Sequence, residues 1–473
     1  MDNYKRARWV VVGLWLLFCF LTLDYNGPFF DESIYITAGL RTFEGHGGSD
    51  GYLGWFAGSL IWPVLAGAGY WIAGLVGTRA VALLLGTAAF AAVVQAAQNL
   101  FGPKAGFWTA IALALSGPFA ALARLGVYDV PALAGMAISF WAITELIKRD
   151  DRLWLGIAAV AFTVGLFSKY PMGMMLLPLC GVLVTRRGDK ALMDVGIFGL
   201  ISTAITLAFF LPNRAQFVAL AAWQVTNRPQ FGVGPSVIAL TLFYLSLVPV
   251  FFALGGWAAA SKEQRPLATV LVLSLVIWPA YHLLSGNPVG PNKHVVFGFL
   301  FAYPLVGLAL SRLWDSRWGR GLLPRGAAIL SVLGMALLGW VQLDQAHRAW
   351  PDLREAADYL GGRVQPGQQL LINESWPYTL PLYAAGRLAS PWDVFDVYRV
   401  THGETTQDLC EYDWFVDTQG SYVWPESVVQ EIESCDRFER VFSTQSMVVG
   451  LGQDLNFVSY PIHTHIWKNI DED

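Results

Sequence analysis

The chain has 473 residues, of which 55% are hydrophobic and 14% are charged, and its mean hydropathy is +0.46. This balance lies far outside the range of soluble proteins and indicates a polytopic α-helical membrane protein. The net charge is −4, and the sequence shows no basic patch of the kind that binds nucleic acid. We therefore expect no nucleic-acid partner.

Apolar runs long enough to cross a bilayer predict eleven transmembrane helices. They cover 8–23, 79–99, 104–122, 131–147, 153–168, 170–185, 192–211, 236–259, 267–284, 294–311 and 325–343. The first run follows the basic segment KRAR, and we interpret it as a retained span, since no small-residue cleavage site precedes Asp24. Four connections are also basic, at 148–152, 186–190, 261–265 and 311–320. The positive-inside rule places all five segments in the cytoplasm and the C-terminus outside.

A further apolar run, 54–76, would put four basic loops outside if it were counted as an extra span. Its aromatic residues, including Trp62 and Trp71, suit the headgroup region of a membrane. We therefore predict an interfacial or re-entrant helical segment in the first external loop, 24–78. The alternative is that 54–76 spans the membrane and a neighbouring run does not.

The segment 24–50 crowds acidic, basic and imidazole groups into an otherwise apolar chain. Asp31 and Glu32 follow the first span directly, at the membrane surface. A carboxylate placed there is energetically costly unless it is solvated or has a function. They are therefore the leading catalytic candidates. The alternative is that Asp31 or Ser33 caps a short interfacial helix over 33–44.

A second acidic position lies in ARLGVYDVP, residues 123–131, at the outer end of a predicted span. Asp129 stands just before Pro131, which is also the pattern of a helix N-cap. The other interpretation is a second carboxylate on the outer face, where Arg124 could bind an anion in bidentate fashion.

Two further cations, Lys169 and Lys293, lie at outer membrane boundaries, where the positive-inside rule does not explain them. Each alone could extend its side chain to lipid headgroups. Together with Arg41 and Arg124, they are typical of a binding site for an anionic headgroup.

After about residue 345 the composition changes to alternating helix-like and strand-like segments, which predicts a small external α/β domain over 346–473. Its two cysteines, Cys410 and Cys435, could form a disulfide in an oxidising compartment or remain free thiols. Cys19 and Cys180 fall in apolar runs, and the four cysteines show no metal-ligand spacing.

The order and sidedness of these features resemble the GT-C glycosyltransferase superfamily, in particular the group of protein O-mannosyltransferases and lipid A aminoarabinose transferases. The features are the Asp-Glu pair, the external interfacial segment, the Arg-x3-Tyr-Asp-x-Pro loop, GLFSKYP at 165–171 and the external C-terminal domain. The resemblance covers about residues 8–345, a GT-C-like transmembrane domain. The C-terminal domain matches only in position and α/β character.

The resemblance implies that a sugar moves from a polyprenyl-phosphate-linked donor to a lipid, glycan or protein acceptor on the extracytoplasmic face. By similarity, Asp31 lies near the acceptor nucleophile with Glu32 as its partner, and Asp129 is the second acidic position. The cations would bind the carrier phosphate or orient the carboxylates. The expected substrate- and phosphate-binding residues are Arg124, Lys169, Lys293, His294, Arg41 and Tyr128.

One stretch departs from the group. Residues 51–63 read GYLGWFAGSLIWP where many members carry a Lys-Pro-Pro-Leu-like segment, so the phosphate-binding lysine of that loop has no counterpart. A divalent cation, Mg²⁺ or Mn²⁺, could supply part of the positive charge through Asp31, Glu32 and Asp129, with His46 or His294 as further ligands.

Two other classes of membrane protein are alternatives to a glycosyltransferase of the bacterial plasma membrane. A transporter or flippase of a lipid-linked substrate usually places ionisable groups near the membrane midplane and shows repeat symmetry. Here the charges lie at one face and the sequence shows no repeat. A membrane scaffold with a partner-binding external domain leaves the placement of Asp31, Glu32 and Asp129 unexplained.

Overall fold

The computed structural model describes residues 2–46, 56, 59–226, 234–286, 290–316, 322–401, 408–419, 424–451 and 457–470. The chain divides into two compact units. The first comprises Met1–Leu23, Gly47–Trp62 and Arg79–Asp344, and the second comprises Asp24–His46, Pro63–Thr78 and Gln345–Asp473. The second unit therefore combines most of the first loop with the C-terminal region.

Fourteen helices precede the C-terminal region in the described ranges. They are α1 Asp2–Leu21, α2 Phe30–Phe43, α3 Ile61–Phe101, α4 Pro103–Ala114, α5 Gly117–Ala123, α6 Asp129–Arg149, α7 Leu153–Ser168, α8 Leu176–Arg187, α9 Ala191–Phe210, α10 Arg214–Thr226, α11 Pro235–Ala259, α12 Arg265–Ser285, α13 Pro291–Asp315 and α14 Leu322–His347. Short 3-10 helices, Tyr170–Met175 and Gly188–Lys190, flank α8.

Helices cover all eleven apolar runs, but the predicted count of eleven spans is not confirmed. Seven helical stretches among the described residues are long and apolar enough to cross a membrane, or eight if α4 and α5, bent by 73°, form one span. Since α7 has only 16 residues and α1 carries several basic residues, neither meets the same criterion. The sequence therefore locates the helices better than it counts the spans.

Among the helices long enough to cross a membrane, α13 is the most buried, and it packs against α4, α11 and α12. The pair α6 and α7 matters most for the candidate site. A short connection makes these two helices antiparallel, and their backbones approach at Gly135 and Gly165, where a side chain on Gly135 would lie 2.7 Å from the Gly165 nitrogen. Small residues permit such close approach. The start of α6 and the end of α7 therefore lie at the same end of the pair.

The chain reverses within α3, at Ala73 and Gly74, both of which have non-helical backbone angles. The hydroxyl of Thr78 donates to the Ala66 carbonyl at 2.7 Å. In a straight helix, residues twelve positions apart would be about 18 Å apart. Residues 66–72 therefore fold back towards Thr78 within the second unit. This geometry agrees with the prediction that the run 54–76 does not add a span of its own.

The expectation that Trp62 faces lipid headgroups is wrong. Its side chain is buried, and its indole N–H donates to the carbonyl of Gly126 at 3.2 Å within the first unit. A buried indole N–H that finds a carbonyl partner is the usual arrangement in a protein interior. Trp62 thus anchors the start of α3 to the loop before Asp129.

The C-terminal region is the predicted α/β domain. Its elements are α15 Arg354–Gly361, β1 Leu370–Ile372, α16 Ser375–Ala384, β2 Val394–Phe395, α17 Val397–Thr401, β3 Trp414–Thr418, α18 Glu426–Ser434, β4 Phe438–Leu451 and β5 Phe457–Asn469. The strand order is β2-β1-β3-β5-β4, with β1 parallel to β2 and β3 and the other neighbours antiparallel. The predicted helix-like and strand-like segments of this region are confirmed.

Each face of this sheet carries its own apolar core, because successive strand residues point to opposite faces. Leu370 and Ile372 belong to one core, and Leu371, which lies between them, belongs to the other. Of the two alternatives for the cysteines of this region, the disulfide is confirmed: Cys410 and Cys435 are bonded, with their Cα atoms 5.8 Å apart.

Candidate active site

The side chain that caps the start of α2 is that of Glu32, and not that of Asp31 or Ser33. The helix begins at Phe30, three residues earlier than expected, and the Glu32 carboxylate accepts a hydrogen bond of 2.9 Å from the Phe29 N–H. Glu32 is fully buried, whereas Asp31, one residue earlier in the first turn, keeps part of its surface exposed. The capping alternative therefore applies to Glu32, and Asp31 is the carboxylate that solvent can reach.

The other end of α2 is held by a cluster around Tyr383 of α16. The Tyr383 hydroxyl donates a short hydrogen bond to Glu44 and accepts one of 3.4 Å from Arg41. A second Arg41 nitrogen lies 3.4 Å from the His46 ring. Burial, reinforced by the Glu44 carboxylate, raises the pKa of Tyr383 to about 12. Arg41, which the sequence predicts as a phosphate ligand, is therefore buried in this cluster.

The segment that leads into α2 is also fixed within the second unit. The Asn26 amide donates to the carbonyls of His347 and Trp350 at 2.9 and 3.1 Å. On α2 itself, Gly39 meets the backbone of Gly67 so closely that a side chain there would lie 2.8 Å from the Gly67 Cα. A helix so constrained along its length can hold Asp31 in one position.

In the first unit, Asp129 and Lys169 form a buried ion pair. Asp129 is the first residue of α6 and Lys169 follows the end of α7, so the antiparallel packing of these helices brings the two together. Asp129 is fully buried, and the Lys169 side chain is 5% exposed. Asp129 is not the N-cap that the Pro131 spacing suggested, since Tyr128 occupies that position.

Tyr128 and the second oxygen of Asp129 complete this cluster. The Lys169 ammonium lies 5.0 Å from the centre of the Tyr128 ring, a cation–π distance. Asp129 Oδ2 is buried and accepts no hydrogen bond from the residues that the structure describes. An ionised carboxylate in such a position is stabilised mainly by its lysine.

Arg124 contributes to the packing of the first unit. It is fully buried at the end of α5, where its guanidinium donates to the Ala120 carbonyl at 3.1 Å and to the Thr22 hydroxyl just beyond α1. These contacts tie α5 to the end of α1. The predicted contact between Arg124 and a phosphate would require the guanidinium to leave this enclosed position.

Lys293 and His294 lie in the first turn of α13, after Gly290, whose φ is +76°. Lys293 is partly exposed, whereas His294 is buried. The His294 Nδ1 lies 2.9 Å from Nε2 of His282, which stands in the last turn of α12 and is fully buried. His282 was absent from the predicted set, although its place across one short loop from His294 could have indicated it.

The described side chains do not fit the expected metal ion. No group of three or more His, Cys, Asp or Glu residues in the described ranges could hold one. Asp31 and Glu32 belong to the second unit and Asp129 to the first, where its carboxylate is paired with Lys169. We therefore assign no catalytic step to a metal ion.

Each unit thus contains a cluster of predicted residues, in addition to the His282–His294 pair of the first unit. Asp129, Lys169 and Tyr128 lie together in the first unit, and α2 carries Asp31, Glu32 and Arg41 in the second. Tyr383 and Glu44 were missed by sequence reasoning. Tyr383 lies 342 residues from Arg41, and no local pattern joins residues so far apart in sequence.

Comparisons with known proteins agree with this fold. Residues 68–215 match the family described as dolichyl-phosphate-mannose-protein mannosyltransferase. The crystal structure of apo ArnT from Cupriavidus metallidurans is similar, with a TM-score of 0.65 and 16% identity over 96% of this chain and 97% of that one. ArnT bound to undecaprenyl phosphate gives a TM-score of 0.64 at the same identity and coverage.

A more distant similarity links the chain to AglB, the oligosaccharyltransferase of Archaeoglobus fulgidus, in complex with an inhibitory peptide and a dolichol-phosphate. The TM-score is 0.52 and the identity 14%, over 87% of this chain and 69% of that one. No curated protein matches by sequence. The chain is therefore a multi-pass integral membrane protein with a GT-C fold, which confirms the predicted resemblance.

Proposed function

We propose that this chain is a glycosyltransferase of the GT-C superfamily, which moves a sugar from a polyprenyl-phosphate-linked donor to an acceptor on the extracytoplasmic face of the membrane. The fold shared with ArnT over nearly the whole chain supports this proposal, as does the mannosyltransferase family match. One ArnT structure holds undecaprenyl phosphate, a carrier of the proposed kind. None of the comparisons favours a transporter or flippase.

The observation that carries the proposal is the placement of Asp31. It is a partly exposed carboxylate in the first turn of a helix that Glu32 caps and the Tyr383 cluster holds. Glycosyl transfer needs a base that takes the proton of the acceptor hydroxyl as its oxygen attacks the anomeric carbon. The bond between that carbon and the phosphate oxygen breaks, and the carrier phosphate leaves with the electron pair. We assign the base to Asp31.

The leaving phosphate gains negative charge, so it needs positive groups held in place. We assign this role to Lys293 and His294, which stand in the first turn of α13, where backbone N–H groups and the helix dipole also favour an anion. The partial exposure of Lys293 supports this assignment.

The remaining predicted residues receive positioning roles. The Asp129–Lys169 pair, with Tyr128 against the ammonium, orients the outer ends of α6 and α7. Arg124 joins α5 to α1, and Arg41 holds α2 through Tyr383. These roles use the contacts that each side chain makes within its own unit.

The finer parts of the proposal concern substrate and compartment. The donor sugar is a hexose or a pentose, and the acceptor is a lipid, a glycan or a protein. We place the protein in the bacterial plasma membrane, with the α/β domain outside. The basic loops at 148–152, 186–190 and 261–265 support that orientation under the positive-inside rule.

Reconstitution separates transfer from transport. The purified chain in lipid nanodiscs would receive polyprenyl-phosphate hexoses or pentoses together with an envelope extract of the source cells as acceptor. The proposal predicts free polyprenyl phosphate and a heavier acceptor, both detected by mass spectrometry. In sealed liposomes, movement of an intact lipid-linked sugar across the bilayer without cleavage would instead identify a flippase and contradict the proposal.

A further inference from the structure

We propose that Phe30, Trp376 and Trp392 form a stacking platform that binds a sugar ring of the acceptor beside Asp31. This inference rests on the proposed function and names the acceptor class as a glycan. All three residues belong to the second unit, the unit that contains Asp31. We refer to the three side chains as the acceptor platform.

The three rings of the acceptor platform form a row that starts at the proposed base. Phe30 is the first residue of α2 and the chain neighbour of Asp31. Its ring centre lies 6.2 Å from that of Trp376, in the first turn of α16, and Trp376 lies 6.4 Å from Trp392. Both contacts are edge-to-face, so the row leads from the first turn of α2 to the surface of the α/β domain.

Trp392 ends the row with an exposed indole on a rigid turn. Its side chain is 41% exposed. The Ser390 N–H donates to Asp393 Oδ2 at 2.8 Å, and the Trp392 N–H donates to the Ser390 hydroxyl at 3.3 Å. An exposed large aromatic side chain on a turn fixed in this way is already oriented for binding. The protein therefore loses little conformational entropy when a ligand stacks on it.

Arg399 fixes the same turn from the other side. Its Nη1 donates to the carbonyls of Trp392 and Val394 at 2.8 and 3.0 Å, and its guanidinium lies 4.0 Å from the centre of the Phe395 ring. These bonds restrain the backbone on both sides of Asp393. Four hydrogen bonds therefore fix the backbone around Trp392, and the Arg399 guanidinium lies 5.7 Å from the centre of the Trp392 ring.

The groups around the acceptor platform fit a sugar better than a purely apolar ligand. A pyranose presents an apolar face of C–H groups, which stacks on an aromatic ring, and a rim of hydroxyls, which needs polar partners. Asp396, which is partly exposed, supplies such a partner next to Trp376, and its Oδ2 accepts a hydrogen bond of 3.4 Å from the hydroxyl of the buried Ser375. The acceptor hydroxyl that loses its proton would extend from the platform towards Asp31.

The test is a kinetic comparison of Trp392→Ala with the wild-type chain in nanodiscs. Labelled polyprenyl-phosphate sugar is the donor, and an envelope extract of the source cells, titrated by dilution, is the acceptor. We expect the acceptor KM to rise about tenfold, the size of one lost aromatic contact, while kcat and the donor KM stay unchanged. Trp392→Phe should restore most of the affinity, since it keeps an aromatic face.

Trp71→Ala is the matched control, because Trp71 is an 81% exposed indole of the second unit that lies outside the row. It should leave the acceptor KM unchanged. Periodate, which cleaves sugar diols, should destroy the acceptor activity of the extract, and proteinase K should spare it. An unchanged acceptor KM in Trp392→Ala, a loss in kcat alone, or a protease-sensitive acceptor would each overturn the inference. Absence of transfer by the wild-type chain would instead overturn the proposed function.

Discussion

Neutralising one member of the Asp129–Lys169 pair should destabilise the protein far more than neutralising both. Asp129 is fully buried, and the Lys169 side chain is 5% exposed. Removing one partner leaves an unpaired buried charge, which costs about 3–5 kcal/mol, whereas replacing both partners by neutral groups is often close to neutral. We expect Asp129→Asn and Lys169→Met each to lose this full amount of stability, and the double variant to recover most of the lost stability.

The assay is thermal unfolding of the purified variants in one detergent, combined with a transfer assay on the same samples. Lys190→Met is the matched control, because Lys190 pairs with Asp150 at the surface, where both side chains are about half exposed. Such a pair contributes little to stability. The control should therefore unfold at nearly the wild-type temperature.

The double variant also separates folding from function. If the Asp129–Lys169 pair orients the outer ends of α6 and α7 for catalysis, transfer should stay low in the double variant although its stability returns. If the losses in the two single variants simply add in the double variant, the two charges do not interact, and the pairing argument is refuted. Full activity in the double variant would show that the pair contributes to stability and not to catalysis.

Three further results are expected from the described chain. Replacing Cys410 and Cys435 by serine should cost the α/β domain about 3 kcal/mol in the chain-entropy model, measured by unfolding, and no loss would contradict it. Burial raises the pKa of Asp417, so its ionised form disfavours folding. Asp417→Asn should raise the unfolding temperature at pH 7 and lose that effect below the unfolded pKa, and a gain that persists at low pH would contradict the burial argument. A cysteine at Asp189 should react only after permeabilisation and one at Glu426 without it, and the reverse pattern would overturn the topology.

Local pattern was sufficient for the apolar helices and for part of the candidate site. Each apolar run is helical because a membrane segment must satisfy its backbone hydrogen bonds internally, but α10 lies outside the predicted runs. The spacing also placed Asp129 and Lys169 at the same end of the α6–α7 pair, since Asp129 begins α6 and Lys169 follows the end of α7. Their direct pairing depends on the close approach of Gly135 and Gly165, which no periodicity reveals.

Features that depend on distant parts of the chain could not be predicted. The grouping of the first loop with the C-terminal region rests on contacts such as those of Asn26 with His347 and of Arg41 with Tyr383. The start of α2 was misplaced because Glu32 caps from the third helical position, whereas the prediction looked for a cap at Asp31 or Ser33. The span count stays unconfirmed, since the bend between α4 and α5 divides one apolar run and the number of crossings depends on whether that pair is one span.

The most direct test of the account is the transfer rate of Asp31→Asn in the reconstituted system. This change keeps the size of the side chain and removes its basic site, so transfer should fall by about two to four orders of magnitude, with donor binding largely kept. Asp24→Asn is the control, because Asp24 lies in the same loop and forms an exposed ion pair with Arg354. Near-normal transfer by Asp31→Asn, or an equal loss in Asp24→Asn, would contradict the assignment of Asp31 as the base.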